Sequence, residues 1–198
     1  VTRLGYMIHC KGIDPRRILT VTYTVAATKD MAARFAAKFG AKLAKQLEFR
    51  TINSHCVSVL KYYGDKTGKT PHQLLNDEKR IAGLLAEIYQ RVERVYPTDG
   101  DLKNIRTLIT YIKNMMLGED EIEALNEEAE CKISVIYREY CSKLKELQMI
   151  DYDDQMVYAY VMLKKIPWLL AYFQELYPYI CVDEAQDTSK IQHAIIAL

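Results

Sequence analysis

The sequence predicts an α/β fold in which a parallel sheet is interrupted by an all-helical insertion. Three observations carry that prediction. A β-branched run, Ile18 to Thr24, is followed at once by an alanine-rich helical stretch. A second short apolar run, Tyr179 to Val182, ends in paired carboxylates. Between them lie about a hundred residues with helical apolar periodicity and no strand pattern.

The elements follow in chain order. Gly12 and Asp14-Pro15 mark a turn before the first strand. Strand character there comes from Ile18, Val21 and the threonines, whose branched side chains suit a pleated surface. From Ala26 to Leu47 the composition turns to alanine, with Met31, Phe35 and Phe39 at four-residue spacing, as one face of a helix requires. Phe49 to Ile52 reads as a second short strand. Ser54 to Tyr63 reads as a helix with Cys56, Val59, Leu60 and Tyr63 on one side. Strands alternating with helices call for parallel pairing.

From residue 71 the pattern changes. Asn76-Asp77-Glu78 offers a cap oxygen and an acidic first turn, and Ile81, Leu84, Leu85, Ile88, Val92 and Val95 follow as an apolar stripe. Leu102 to Leu117 repeats the pattern through Ile105, Leu108, Ile109, Ile112 and Met116; Ile122 to Leu147 repeats it again. These stripes read as core packing. The predicted domains are therefore an α/β layer at 1–70 and 172–198, with a helical insertion at 71–171.

Composition narrows the class without naming a function. The chain has 198 residues, 27 basic and 26 acidic, for a net charge of +1. Such a balance leaves nucleic-acid binding to local basic stripes. Five cysteines lack C-x-x-C or zinc spacing, which reads as reduced thiols in an intracellular, cytoplasmic protein. No apolar run reaches the roughly 18 residues a membrane span needs.

Two stretches raise the question of nucleotide chemistry. G-D-K-T-G-K-T (Gly64–Thr70) imitates a phosphate loop, but that loop wants four residues between its first glycine and G-K-[ST]. Here Gly64 and Gly68 enclose only three, and Tyr63 stands at the position of the required glycine. Gly64 to Pro71 is read instead as an exposed linker into the insertion, with Lys66 and Lys69 as its only candidates for a phosphate contact. The sharper stretch is I-C-V-D-E-A-Q-D-T-S (Ile180–Ser189). A buried strand fixes the first carboxylate of this stretch at the carboxyl edge of the sheet, where ligands bind in open α/β folds. Mg²⁺ takes one or two carboxylates together with phosphate oxygens and water. A neighbouring glutamate can orient or deprotonate a water. An acidic helix start after a strand is the alternative reading of the same residues.

V-D-E-A-Q-D-T-S resembles motif II, the Walker B box, of the UvrD/Rep-type superfamily 1A DNA helicases. Three further stretches occur in that family's order. T-V-T-Y-T-V-A-A-T-K-D-M (Thr20–Met31) is similar to motif Ia, T-I-N-S-H-C (Thr51–Cys56) to motif Ib, and D-Y-D-D (Asp151–Asp154) to the segment shortly upstream of motif II. The resemblance implies a RecA-like P-loop NTPase layer, subdomain 1A, carrying an inserted helical subdomain 1B. It implies Asp183 as the Mg²⁺ residue, Glu184 as the catalytic base with Gln186 beside it, and Asp187 as a nucleotide-coupling residue. It places Tyr23, Thr24, Thr51 and Asn53 along a single-stranded DNA track, where an aromatic face suits a base and short polar side chains suit phosphates. Taken without the resemblance, Tyr23 reads as strand packing and Thr51, Asn53 or Ser54 as helix caps. The implied cofactors are ATP and Mg²⁺. The implied partners are single-stranded DNA and single-strand/duplex junctions.

The sequence departs from the family pattern at Val25 and Ala26, where asparagine and lysine are usual, and at His55, read as a packing histidine. Asp151, Asp153 and Asp154 are read as structural, with a metal cluster as the alternative. No Walker A residue lies in the chain: Arg3 to Ile8 resembles the helix just past that loop's G-K-T, so the loop is expected immediately before Val1. By itself the 198-residue chain is expected neither to hydrolyse ATP nor to unwind duplexes. Within the family, an AddA/RecB-like helicase–nuclease is the alternative parent. Outside it stand a non-catalytic DNA- or protein-binding module and a helical scaffold.

Overall fold

The computed structural model describes all 198 residues. Helix α1 (Thr2–His9) leads through a short 3-10 turn into strand β1 (Ile18–Thr22), which is buried along its whole length. Helix α2 (Val25–Phe39) follows, then a short α3 (Ala41–Ala44), strand β2 (Glu48–Thr51) and helix α4 (Ile52–Thr67). The second short strand near the C-terminus (β5, Tyr179–Val182) returns to β1, giving a three-stranded parallel sheet in the order β2-β1-β5. Leu19 faces Glu48 on one side and Ile180 on the other. This is the predicted α/β arrangement with β1 central, and it explains why β1 is buried on both faces.

The long alanine-rich helix is broken where its periodicity predicts continuity. Gly40 has φ 92°, a conformation that favours glycine, and it ends α2 and redirects the chain into α3. Phe35, on the buried face of α2, packs with Leu4, Ile18 and Leu47.

The insertion holds four helices rather than three. Asp77 caps α5 (Glu78–Glu93) by accepting from Lys79 N and Arg80 N. Thr98 and Asp101 form a capping box at the start of α6 (Asp99–Met115). The third stripe divides into α7 (Glu119–Ala129) and α8 (Ile133–Glu146) at Glu130, which sits at φ 52°. The stripes meet in one common core built from Leu85, Ile88, Ile105, Ile112, Ile133 and Ile136. Two strands of two residues, β3 (Gln73–Leu74) and β4 (Met149–Ile150), pair in parallel and close the insertion at its base.

Helices α9 (Tyr152–Lys165) and α10 (Pro167–Leu176) lie before β5. Met156, Ala159 and Leu163 of α9 and Leu169 and Phe173 of α10 share a core with Val21, Cys56 and Val59 of the α/β layer. From Met156 onward, then, α9 and α10 pack on the α/β layer, although the sequence pattern groups 71–171 as one insertion. His55 is buried in this core, edge-on to Phe173 at 5.5 Å between ring centroids.

Candidate functional site

Two neighbourhoods gather the residues singled out in the sequence. The first is the carboxyl end of β5. Asp183 N donates to Val21 O at 3.0 Å, so the sheet ladder runs one residue past the strand and fixes the Asp183 backbone. The Asp183 side chain is half-buried and has no hydrogen-bond or ion-pair partner in the protein. It lines a small cavity of about 170 Å³ with Val1, Arg3, Thr20 and Cys181. Thr20 Oγ1 is buried in β1 and also lacks a partner. A free carboxylate beside an unsatisfied hydroxyl is a polar pair suited to an incoming hydrated cation or phosphate oxygen. No cluster of three or more His, Cys, Asp or Glu side chains could hold a metal alone. A Mg²⁺ at Asp183 would therefore share its coordination with phosphate and water, which is its usual habit.

Beyond Asp183 the chain turns sharply. Glu184 adopts φ 51°, ψ 49°, a left-handed conformation uncommon for a non-glycine residue, and opens a 3-10 turn over Ala185–Asp187. Glu184, Gln186 and Asp187 are exposed, and the Gln186 amide donates to the Glu184 carboxylate. The turn ends at Ser189, whose backbone N–H donates to Gln192 Oε1 at 3.0 Å at the start of α11 (Lys190–Ile196).

Ser189 and Gln192 open onto the second neighbourhood, a broad groove of about 660 Å³ between the sheet's carboxyl edge and the insertion. Thr22, Tyr23 and Val25 reach it from the β1–α2 junction, and Thr51 and Asn53 from the β2–α4 junction. Both junctions are helix N-termini, where unpaired backbone N–H groups favour anions. Tyr23 is 62% exposed, so it is not packed in a strand. Thr24 Oγ1 accepts from Ala27 N at 3.1 Å and Thr51 Oγ1 from Ser54 N at 3.1 Å; both threonines are helix caps, as the residue pattern at Thr51 predicts. Asn53 Nδ2 donates to Gln155 Oε1 at 3.0 Å, while its Oδ1 is buried without a partner.

On the opposite wall only the D-Y-D-D segment was picked out in the sequence. Helix α6 presents Thr107, Tyr111 and Asn114, and the start of α9 presents Tyr152. Tyr111 is 46% and Tyr152 53% exposed, so three tyrosines from three elements line one groove. Tyr111 lies off the apolar stripe of α6, and an aromatic residue off-stripe is the signal that could have found it.

The wall is held by the D-Y-D-D segment. Asp151 caps α9, accepting from Asp154 N at 2.8 Å. Lys113 of α6 is buried and reaches both Asp151 and Asp154 at 2.7 Å. Tyr140 Oη donates to Asp151 at 3.2 Å. Asp153 accepts from Thr110 Oγ1 at 2.8 Å and Asn114 Nδ2 at 2.7 Å. All three carboxylates are thus committed to joining α6 to α9, and none is free for a metal. Burial opposes the charge on Lys113, but the two carboxylates more than offset it and hold its pKa above the ordinary lysine value. Burial, aided by the like charge of Asp151, pushes the Asp154 carboxyl upward against the pull of Lys113.

The two sites are separate cavities joined by one short segment, Asp183 to Gln192. The G-D-K-T-G-K-T stretch belongs to neither. Its first four residues are the last turn of α4, not linker, and Gly68 ends that helix at φ 70°. Gly64 is buried where the chain folds back: a Cβ there would lie 2.8 Å from Lys69 O. Both glycines thus have backbone roles.

The UvrD/REP helicase N-terminal domain model matches residues 1–198. Among curated proteins, the ATP-dependent DNA helicase PcrA of Staphylococcus epidermidis is 26% identical over 197 residues, covering 99% of this chain and 27% of the relative. PcrA of Leuconostoc citreum is likewise 26% identical, with 26% of its length covered. A probable DNA helicase II homolog of Mycoplasma capricolum is 29% identical over 199 residues, 98% of this chain and 27% of its own length. The chain spans about a quarter of the length of these relatives. No helix is long and apolar enough to cross a membrane. The chain belongs to the UvrD/REP helicase N-terminal domain family.

Proposed function

We propose that the chain is the part of an ATP-dependent DNA translocase that combines half of an ATPase site with a single-stranded DNA groove. The observation that carries this reading is the groove itself. Three exposed tyrosines and two helix N-termini face one another across it, a composition suited to bases and phosphates together. Tyr23, Tyr111 and Tyr152 offer ring faces for stacking. Thr51 and Asn53 sit where the α4 N-terminus can receive a phosphate, with Thr24 capping the equivalent end of α2.

In the same reading Asp183 would hold Mg²⁺ and Glu184 would orient and deprotonate a water. Bound Mg²⁺–ATP supplies an electrophilic phosphoryl group whose charge the metal neutralises. Gln186 holds the Glu184 carboxylate by its amide hydrogen bond, and Asp187 closes the turn next to it. The Asp183–Gln192 segment is short and ends in the groove, so a change at the carboxylates can alter the groove wall at Ser189 and Gln192. Such coupling moves DNA only when the groove's affinity differs between nucleotide states. In the parent protein this drives 3′ to 5′ movement on single-stranded DNA.

These 198 residues contain no G-x-x-x-x-G-K-[ST] string. Alone, the chain is proposed to bind DNA without turning over ATP. The test of the chemistry is Glu184→Gln in the protein that also carries a phosphate loop. ATP binding should persist while turnover falls by about 10²–10⁴-fold, the scale of general-base catalysis. Near-normal hydrolysis would remove Glu184 from the mechanism.

A further inference from the structure

The lysines of G-D-K-T-G-K-T serve no site described so far, yet Lys66 lies against the Tyr62 ring and Lys69 Nζ donates to the Tyr63 hydroxyl at 3.3 Å. Lys66 Nζ lies 5.5 Å from the centroid of Tyr62, and Lys69 Nζ 5.7 Å from that of Tyr63. Each tyrosine is backed by a ring from α10. Tyr62 stacks on Tyr172 at 3.9 Å with an interplanar angle of 11°, and Tyr63 lies parallel to Trp168 at 6.1 Å and 16°. The result is a double row in which ring, ring and ammonium repeat side by side. Trp168 is 46% exposed, a large fraction for an indole that finds this many neighbours.

The charge around the row is one-sided. Lys61, Lys66 and Lys69, from α4 and the turn after it, form no ion pair. Asp65 is the acid within the same turn of α4, and Glu175 lies further along α10 beside Tyr172. A cleft of about 190 Å³ extends the face past Tyr63 and is lined by Lys69, His72 and Tyr158. The glycines make this placement possible. Gly64 lets the chain fold back, and Gly68 turns it, so that Lys69 reaches the Tyr63 hydroxyl while Lys66 stays on the helix.

We propose that this face is a second binding surface for single-stranded nucleic acid, with the exposed Trp168 as the stacking ring, held in place by Tyr62 and Tyr63, and Lys66 and Lys69 as the phosphate contacts. An exposed indole flanked by lysines without ion-pair partners fits a flexible strand that presents bases and phosphates alternately. An apolar protein partner would be better served by aliphatic side chains without ammonium groups beside the rings. The surface is distinct from the groove. It lies at the opposite end of α4, about 15 Å along the helix from Asn53 at 1.5 Å per residue. A strand leaving one site can therefore be held at the other, and a displaced strand can be kept from re-pairing.

Trp168 is the only tryptophan, so the chain carries its own reporter. The experiment titrates the 198-residue chain with oligothymidylate while following Trp168 emission, alongside anisotropy of a labelled oligonucleotide. Quenching of Trp168 that weakens with salt is expected. In Lys66→Ala/Lys69→Ala, whose fold is checked by circular dichroism, the log–log salt slope of the quenching should fall by about 1.4, from about 0.7 per phosphate contact on a single strand. In Tyr23→Ala/Tyr111→Ala the quenching midpoint should stay within about twofold, because that pair belongs to the groove; loss of anisotropy there reports on the groove alone. Trp168 emission that does not change at saturating oligonucleotide would overturn the proposal. So would a salt slope unaltered in the lysine variant, or equal quenching by polyglutamate, which would mark a surface for acidic polypeptides.

Discussion

Lys113→Met tests how the insertion is fixed to the α/β layer. Lys113 comes from α6, its two partners come from the start of α9, and its side chain is 2% exposed. Methionine keeps the length and the apolar stem but removes the ammonium. Asp151 and Asp154 then remain buried beside each other with no cation. Removing one member of a buried ion pair costs about 3–5 kcal/mol, chiefly because the remaining charge is stranded. Solvent screening does not reduce that figure at this burial. Against a domain stability of about 5–15 kcal/mol it is a large fraction. At about 2–4 °C per kcal/mol for a chain of this size, the melting temperature should fall by roughly 10 °C.

The pH dependence sharpens the test. The pKa of Lys113 is raised above its ordinary 10.5, so its contribution is complete at neutral pH and is lost only in strongly alkaline solution. Asp154 has the opposite sense. A carboxyl raised in the folded state gains a proton more readily there than in the unfolded chain, so acidification relieves the stranded charge. The deficit of Lys113→Met relative to wild type should therefore shrink as pH falls from about 7 towards about 5 in urea denaturation. Adding Asp151→Asn and Asp154→Asn, which keep the cap oxygens but remove the charges, should recover at least half the loss. A single-variant cost below about 1 kcal/mol, or a deficit independent of pH, would refute the latch.

Other consequences can be measured on the same chain. Burial first, and then the Arg50 charge, lower the pKa of His55 from 6.5 to about 4. A base depressed in the folded state contributes stability that is complete above pH 6.5 and lost as pH falls through that window. At about 1.4 kcal/mol per pH unit, wild type should lose about 3 kcal/mol more than His55→Leu between pH 6.5 and about 4; parallel profiles would place the imidazole in water. Gly5 of α1 packs so closely on α2 that a Cβ would lie 2.1 Å from Phe39 Cζ. Gly5→Ala should therefore destabilise by about 1–3 kcal/mol despite alanine's helix propensity, with partial rescue by Phe39→Leu; a stabilised variant would show that the ring moves freely.

Much of this architecture was legible because its local signals agree with its packing. The β-branched run at Ile18 is central and buried on both faces, and Asp77 caps the helix it was expected to start. Other features gave no sequence signal. Alanine-rich periodicity continues across Gly40, and nothing in composition shows that φ there is 92°. Strands β3 and β4 have two residues each, too few for an alternating pattern. Helix α9 packs against α4, α11, α10 and α6, so it has no single apolar stripe to mark its side. Residues at the candidate sites divide the same way. Asp183 is placed by its strand and could be read from it. Tyr111 reaches the groove only because Lys113, two residues on, is locked to a segment distant in sequence.

Whether the groove between sheet and insertion holds single-stranded DNA is decided by the anisotropy of a labelled oligothymidylate, titrated with the 198-residue chain and with Tyr23→Ala/Tyr111→Ala. Stacking on an aromatic side chain is worth about 1–3 kcal/mol per base. Losing both rings should weaken groove binding by about 2–6 kcal/mol, at least about thirtyfold, with the fold unchanged by circular dichroism. Equal affinity with and without the two tyrosines, measured with Lys66→Ala/Lys69→Ala in both chains so that the second surface does not retain the strand, would contradict a DNA-binding groove.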